Sequence, residues 1–183
     1  MLYSIKKVHF IGIGGIGMSG IAELLKNKGF LVTGSDISDS PNVKRLIELG
    51  IHVTIGHNAE NISDSELVIY SDAIPKNNVE LKNALSKNLL VYSRARMISE
   101  IAKLNNSTVA ISGTHGKTTT TSMVGSILKA LELDPTIIVG GVVKSLESNS
   151  ALGSGDTFVV EADEYNKSLL HLSPTIAVIN NID

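Results

Sequence analysis

The sequence contains no cysteine and no tryptophan among its 183 residues. Without thiols there is no disulfide, no thiolate metal site and no cysteine nucleophile, and the composition fits a reducing cytoplasm. Aromatic residues supply only 4% of the chain while hydrophobic residues reach 43%, so a core must be built from Ile, Leu and Val. That is the composition of parallel strands buried between helices. No apolar run approaches the ~18 residues of a membrane span. A formal net charge of -2 gives no electrostatic case for nucleic acid or an anionic membrane as the main partner. Lys6 and Lys7 ahead of Val8 to Met18 copy the outline of a signal peptide. Gly12, Gly14, Gly15, Gly17 and Gly20 fall in or beside that stretch, however, and oppose the helix such a segment needs. The chain therefore reads as soluble, untargeted and cytoplasmic.

What is present is an alternation of short apolar runs with helical periodicity, the sign of βα units and a parallel sheet. Lys7 to Ile13, Phe30 to Gly34, Ile51 to Ile55, Leu67 to Tyr70 and Leu89 to Tyr92 read as strands. Met18, Ile21, Ala22 and Leu25 follow the i, i+3, i+4, i+7 spacing of a helix that stops near Gly29. Further helices are expected over Pro41 to Leu49, Asn78 to Ser86 and Ala95 to Leu104. At about residue 105 polarity rises and the pattern restarts. Thr108 to Ser112 reads as a strand, and Lys117 to Leu131 as a helix with Val124, Ile127, Leu128 and Leu131 on one face. Thr136 to Val139, Thr157 to Glu161 and Thr175 to Ile179 read as strands, and Lys144 to Gly155 as a mobile loop. The expected organisation is α/β throughout: a Rossmann-like parallel-sheet domain over 1–105, then a P-loop ATPase-type α/β domain over 106–183. Asp183 directly follows an apolar strand that ought to feed a crossover helix, so this second domain is expected to be truncated.

Two glycine loops carry the chemistry. Gly12-Ile13-Gly14-Gly15-Ile16-Gly17 is a G-x-G-x-x-G at a strand-to-helix turn, where the backbone can approach a diphosphate held by helix N–H groups. Asp36 ends the next strand, nineteen residues after Gly17, where a carboxylate could accept from a ribose hydroxyl. Ser112-Gly113-Thr114-His115-Gly116-Lys117-Thr118-Thr119 again joins strand to helix, and its successive N–H groups suit an anion nest. Lys117 would reach the β/γ-phosphates and the Thr118 hydroxyl would hold Mg²⁺. The general pattern G-x-x-x-x-G-K-[ST] is not strictly met, because Ile111 stands where its first glycine belongs. Glu161 to Glu164 brings acidic residues to the end of a buried strand, where a carboxylate can hold the metal. His9 reads as a hydrogen-bonded core residue, whereas His52, His57 and His171 have no ligand-like spacing.

A glycine-rich nucleotide domain followed by the shortened loop Gly113-Thr114-His115-Gly116-Lys117-Thr118-Thr119 resembles the Mur ligases of peptidoglycan synthesis. The stretch His9 to Ala22, Ser71-Asp72-Ala73-Ile74-Pro75, Glu161 to Asn166 and Asn181-Ile182-Asp183 are similar to family segments, with Asp72 standing where the family has a second serine. The resemblance covers the whole chain and accounts for Ile111, since the family's loop begins at the position of Gly113. It implies that the first loop holds a UDP-linked sugar rather than NAD. Gly12, Gly14, Gly15, Gly17, Asp36 and Ser71 are then UDP-sugar residues, and Gly113 to Thr119 is an ATP cradle. Lys117 and Glu161 become the catalytic pair, and Thr118 and Glu161 the Mg²⁺ ligands. The implied reaction joins L-alanine to the carboxylate of UDP-N-acetylmuramate through an acyl phosphate, with little activity expected from this chain alone. A ligase that recycles a tripeptide, or a nicotinamide-binding oxidoreductase or sensor, are the competing readings.

Overall fold

The computed structural model describes residues 4–143, 148–162 and 172–182. The chain forms two compact units, Met1–Met97 and Ile98–Asp183, which divide inside a helix; the sequence alone suggested residue 105.

The first unit is built on strands β1 (Lys7–Ile11), β2 (Leu31–Asp36), β3 (His52–Ile55), β4 (Leu67–Tyr70) and β5 (Leu90–Ser93). They form one sheet in the order β3-β2-β1-β4-β5, and every neighbouring pair is parallel. All five C-terminal ends therefore share one edge, with β1 in the middle. The helices are α1 (Ile16–Asn27), α2 (Pro41–Glu48), α3 (Val79–Ser86) and α4 (Arg94–Ala102). Met18, Ile21, Ala22 and Leu25 of α1 are all buried, as their spacing predicts. Ser40 caps α2 by accepting the Val43 N–H at 3.3 Å, and Pro41 occupies its first turn. One side of the sheet packs Ile11, Ile62, Val68, Leu81 and Ala84 into a continuous apolar cluster. At roughly 25 cal/mol per Å² of apolar surface removed from water, burial of this kind is the main force holding the unit together.

The second unit contains β6 (Ser107–Ser112), α5 (Lys117–Ala130), β7 (Thr136–Val143), β8 (Ser148–Ala151), β9 (Thr157–Glu161) and β10 (Ile176–Ile179). The sheet order is β10-β6-β9-β7-β8, parallel except for the β7–β8 pair. Two expectations change here. The serine- and glycine-rich stretch read as a loop supplies β8, because edge pairing through backbone hydrogen bonds needs no apolar side chains. Residues 144–147 lie outside the described residues.

The buried face of α5 is also different. Ile127 and Leu131 are exposed, together with Met123, while Thr121 and Gly125 are buried and Val124 and Leu128 pack on Val109, Ile111, Ile137, Val139 and Val159. The stripe 121, 124, 125, 128 keeps helical spacing, so the period was right and the phase wrong. The phase is set by Gly125, where a Cβ would collide with Ile137. The threonine-rich first turns remain helical because Thr121 and Ser122 return their hydroxyls to the carbonyls of Lys117 and Thr118, at 2.8 and 2.7 Å. Among the described residues no helix is long and apolar enough to cross a membrane.

Candidate functional site

The first glycine loop leaves β1 at the C-terminal edge of its sheet. Gly12 has φ +77°, a conformation L side chains avoid, and this lets both Gly12 and Ile13 donate N–H bonds to the Ser35 carbonyl at 2.8 and 3.0 Å. Gly14 is clamped on both sides. Its N–H donates to Asp36 Oδ2 at 2.8 Å and its carbonyl accepts from Asn42 Nδ2 at 2.9 Å. A Cβ on Gly14 would lie 2.6 Å from Val43 Cγ2, so α2 sits hard against the loop. Helix α1 begins at Gly15 with no side-chain cap, presenting a positive dipole end at this edge.

A cavity of about 510 Å³ opens beside this loop. Gly12, Gly14 and Gly15 line it, as do Asp36, Ser71 and His57. Of the expected sugar-nucleotide residues, Gly17 stands apart. It is not among the lining residues, and it lies under Arg94, whose Nη1 would be 2.5 Å from an added Cβ. Asp36 is 8% exposed, and both its oxygens serve the protein: Oδ2 takes the Gly14 N–H and Oδ1 takes the Ser38 N–H at 3.2 Å. Its carboxylate therefore fixes the loop, and Asp36 also lines the cavity, at the strand end where the sequence places a ribose acceptor.

Under this cavity lies a buried polar network that motif reading missed. Glu80 is completely buried. Ser35 Oγ–H donates to its Oε2 at 2.6 Å, and the Asn61 side chain and Asn58 N–H donate to its Oε1 at 2.5 and 3.2 Å. His9 Nε2 and His57 Nδ1 stand 3.6 and 3.4 Å from Oε2. His9 is the core residue expected, its Nδ1 2.8 Å from Thr33 Oγ1. Burial alone would raise the Glu80 pKa from 4.5, but hydrogen bonds from His9, Ser35 and Asn61 overcome it and lower the value to about 2.

A carboxyl whose folded pKa is depressed contributes stability above its unfolded value, and loses it as pH falls toward the folded one. The gap corresponds to about 3 kcal/mol. Urea unfolding followed by circular dichroism is expected to lose about that much stability between about pH 5 and pH 2. Glu80→Gln should flatten the dependence, and an equally steep one in that variant would contradict the assignment.

In the second unit, β6 delivers Ser112 to the second loop. Gly113 and Gly116 have φ +130° and +81°, and α5 starts at Gly116 without a side-chain cap. Lys117 Nζ donates to the loop carbonyls of Gly113 and, at 3.3 Å, Thr114. The β6–β9 register sets Ile111 opposite Glu161. The carboxylate accordingly emerges beside the loop, and Thr118 Oγ1 donates to Glu161 Oε2 at 2.9 Å. A hydroxyl and a carboxylate side by side offer the hard oxygen donors that suit Mg²⁺. Among the described residues no group of three His, Asp or Glu could hold a metal ion. Thr114 and His115 are exposed on the loop and Thr119 in the first turn of α5, whereas Asp163 and Glu164 lie outside the described residues.

The loop's shape is held from β10. Asn181 Oδ1 accepts the His115 N–H at 3.0 Å, and its Nδ2 donates to the His115 carbonyl at 3.2 Å. Asn180 Nδ2 reaches the same carbonyl at 3.3 Å and Thr120 Oγ1 at 3.1 Å. Two adjacent asparagines thus fix the peptide between the two glycines. No local motif signals this, since about 65 residues separate the partners. Asn181→Ala is expected to weaken nucleotide binding by this loop about tenfold, the effect of roughly 1.4 kcal/mol, while the melting temperature stays within a few degrees. Titration with a fluorescent ATP analogue measures it; unchanged affinity would show that the loop holds its shape unaided.

Residues 7–106 match the Mur ligase family, catalytic domain, and residues 111–183 match the Mur ligase middle domain. The chain belongs to the Mur ligase family. It is 56% identical over 183 residues to the UDP-N-acetylmuramate–L-alanine ligase of Brucella anthropi, and 55% identical to that of Brucella ovis. It spans 39% of the length of each. Among solved Mur ligases, UDP-N-acetylmuramate-alanine ligase MurC from Thermotoga maritima superposes with a TM-score of 0.81 at 36% identity, covering 96% of this chain and 41% of that one. The UDP-N-acetylmuramate:L-alanyl-gamma-D-glutamyl-meso-diaminopimelate ligase from Neisseria meningitides superposes with a TM-score of 0.86 at 30% identity, covering 98% and 61%. The α/β fold is that of the Mur ligase structures, as the residue pattern implied.

Proposed function

We propose that this Mur ligase chain carries the two nucleotide sites of an ATP-dependent ligase that joins L-alanine to the carboxylate of UDP-N-acetylmuramate. One observation carries the reading: two glycine loops, each at the C-terminal edge of its own sheet, each opening an uncapped helix. The first unit, residues 1–105 in this reading, holds the UDP-sugar, its diphosphate on the Gly12 to Gly17 loop with Ser71 on the facing wall. The second, over 106–183, holds ATP on the Gly113 to Thr119 backbone. This reading sets the reaction in the cytoplasm.

In the reaction a muramyl carboxylate oxygen attacks the γ-phosphorus, and the bond to the β-phosphate oxygen breaks to release ADP. The amine of L-alanine then attacks the acyl carbon, loses a proton, and expels phosphate as the amide forms. Lys117 places a fixed cation where charge builds on the β/γ-phosphate oxygens, and the loop N–H groups orient the chain of phosphates. Thr118 and Glu161 would hold Mg²⁺, which supplies charge neutralisation of those oxygens when bound. The strand register of Glu161 and its bond from Thr118 support this reading.

The chain is 56% identical to a curated alanine ligase, and among solved structures 36% identical to an alanine ligase against 30% to the tripeptide ligase, which favours L-alanine as acceptor. A nicotinamide site is disfavoured because it leaves the second loop without a purpose. Thermal shift separates these. At 100 times its Kd, UDP-N-acetylmuramate should stabilise the chain by about 2.7 kcal/mol, and NADH should not. Stabilisation by NADH alone would overturn the sugar-nucleotide reading.

A further inference from the structure

We propose that a second cavity, at the edge of the first sheet opposite the glycine loop, is an effector site for a zwitterionic aliphatic amino acid, and that its occupation tightens the glycine-loop cavity through buried Glu80. The site stands on its own residues; only the tightening rests on the sugar-nucleotide reading.

This cavity, of about 280 Å³, lies where β1 and β2 begin and where the chain enters β4. Lys7 and Leu31 are register partners at the heads of β1 and β2, so their side chains stand together on one face of the sheet. Leu31 is 61% exposed and gives the cavity an apolar wall. Glu60 and Asp64 line the same cavity. Among the described residues no ion pair joins Lys7 to either of them. Glu66 is turned to the backbone, where its Oε2 accepts the Lys6 and Lys7 N–H groups at 2.5 and 3.1 Å. One cation, two carboxylates and an aliphatic surface thus share one cavity without neutralising each other. A polyanion is repelled by that set, and no group of three acidic or histidine side chains is there for a metal ion.

Proton bookkeeping decides which end of a ligand goes where. Asn61 lines this cavity and spends both amide protons inward, on Glu80 Oε1 at 2.5 Å and on the Gly56 carbonyl at 3.3 Å. Its Oδ1 remains an acceptor. Thr33 lines the cavity too, with Oγ1 2.8 Å from His9 Nδ1. The Glu80 carboxylate beside His9 Nε2 places the proton of the neutral ring there, so Nδ1 accepts the Thr33 hydroxyl proton. Both neutral groups therefore offer the cavity oxygen lone pairs alone. With Glu60 and Asp64 they suit an ammonium group, while Lys7 suits a carboxylate and Leu31 an aliphatic side chain.

The same two residues carry the signal. Asn61 and His9 meet at Glu80, which accepts the Ser35 hydroxyl at 2.6 Å. The Ser35 carbonyl in turn holds the N–H groups of Gly12 and Ile13. An ammonium on Asn61 Oδ1 polarises that amide and strengthens its bond to Glu80. His9 Nε2 is buried without a hydrogen bond, 3.6 Å from Glu80 Oε2, so the network has slack to take up when Thr33 is engaged. A tightened Glu80 fixes the end of β2, on which the glycine loop hangs. The effect is reciprocal: what the amino acid does for the sugar nucleotide, the sugar nucleotide does for the amino acid.

The test is calorimetric titration of the full chain with L-leucine, and with isoamylamine and isocaproate, which each lack one of its two charges. Leucine should bind in the millimolar range, and either analogue at least tenfold more weakly. Lys7→Met should weaken leucine binding about tenfold and Asp64→Asn severalfold; both positions are exposed, so the melting temperature should hold. Saturating leucine should tighten UDP-N-acetylmuramate about fivefold. Glu80→Gln should keep the leucine affinity and lose the tightening; if that variant does not fold, Asn61→Ala reads the same loss. No leucine binding, equal binding of isoamylamine, or unaltered affinity in Lys7→Met would overturn the site. Leucine that binds and leaves UDP-N-acetylmuramate affinity unchanged would overturn the coupling. A chain that binds leucine but no UDP-N-acetylmuramate would instead sink the sugar-nucleotide reading and leave the site standing.

Discussion

Lys117→Met is expected to weaken binding of MgATP by about 100-fold, equal to about 2.7 kcal/mol, while leaving UDP-N-acetylmuramate affinity unchanged. Methionine keeps most of the stem and removes the charge. The ammonium donates to the Gly113 and Thr114 carbonyls, which stitches the loop across its own mouth. With a triphosphate present, the same cation meets oxyanions, and charge-assisted bonds of this kind contribute roughly 1.5–3 kcal/mol each. The loop contacts from Asn180 and Asn181 do not involve Lys117, so the fold should survive. Isothermal titration with a non-hydrolysable ATP analogue reads the change directly. A loss below threefold would mean that the loop backbone alone holds the phosphates.

Gly14→Ala should damage the other site through a different route. The new methyl would stand 2.6 Å from Val43 Cγ2, 2.9 Å from Ser40 Oγ and 3.0 Å from Asp36 Oδ2. Val43 is buried in α2 and Asp36 is tied to Ser38, so the methyl cannot be absorbed without moving the loop or the helix. Overpacking of this kind costs about 1–3 kcal/mol, which lowers the melting temperature by several degrees for a unit of this size. Because Gly14 N–H and C=O are both clamped, the loop would lose its diphosphate geometry as well. UDP-N-acetylmuramate affinity should fall at least 30-fold, about 2 kcal/mol. Gly17→Ala is the informative comparison, since its methyl would meet only the far end of Arg94, a flexible side chain. Equal damage from the two substitutions would contradict the packing argument.

What could be read from the sequence was local. Alternating apolar runs, the helix stripe at Met18, Ile21, Ala22 and Leu25, and glycines at strand-to-helix turns each lie within a short window, and the structure places each of those elements where the pattern put it. The phase of α5 was not local, because Gly125 against Ile137 fixes it through tertiary contact. Strand β8 escaped notice because its partner, not its composition, makes it a strand. The site follows the same division. Thr118 and Glu161 announce themselves by motif and strand end, but what the two asparagines behind the second loop hold is invisible without the fold. So is the Glu80 network, which joins residues from β1, β2, α3 and the segment after β3. Asp36 stands where the motif puts it, and its partners within the unit are the Gly14 and Ser38 N–H groups and the Ser38 hydroxyl.

As a two-site ligase, this one chain must grip two different nucleotides at the same time. Titrating a non-hydrolysable MgATP analogue into the chain already saturated with UDP-N-acetylmuramate, then reversing the order, tests this most directly. Two independent sites predict one equivalent of each ligand, with affinities that the first ligand leaves within a factor of about three. Mutual displacement, or a total of one nucleotide per chain, would place both ligands on a single loop and contradict the account.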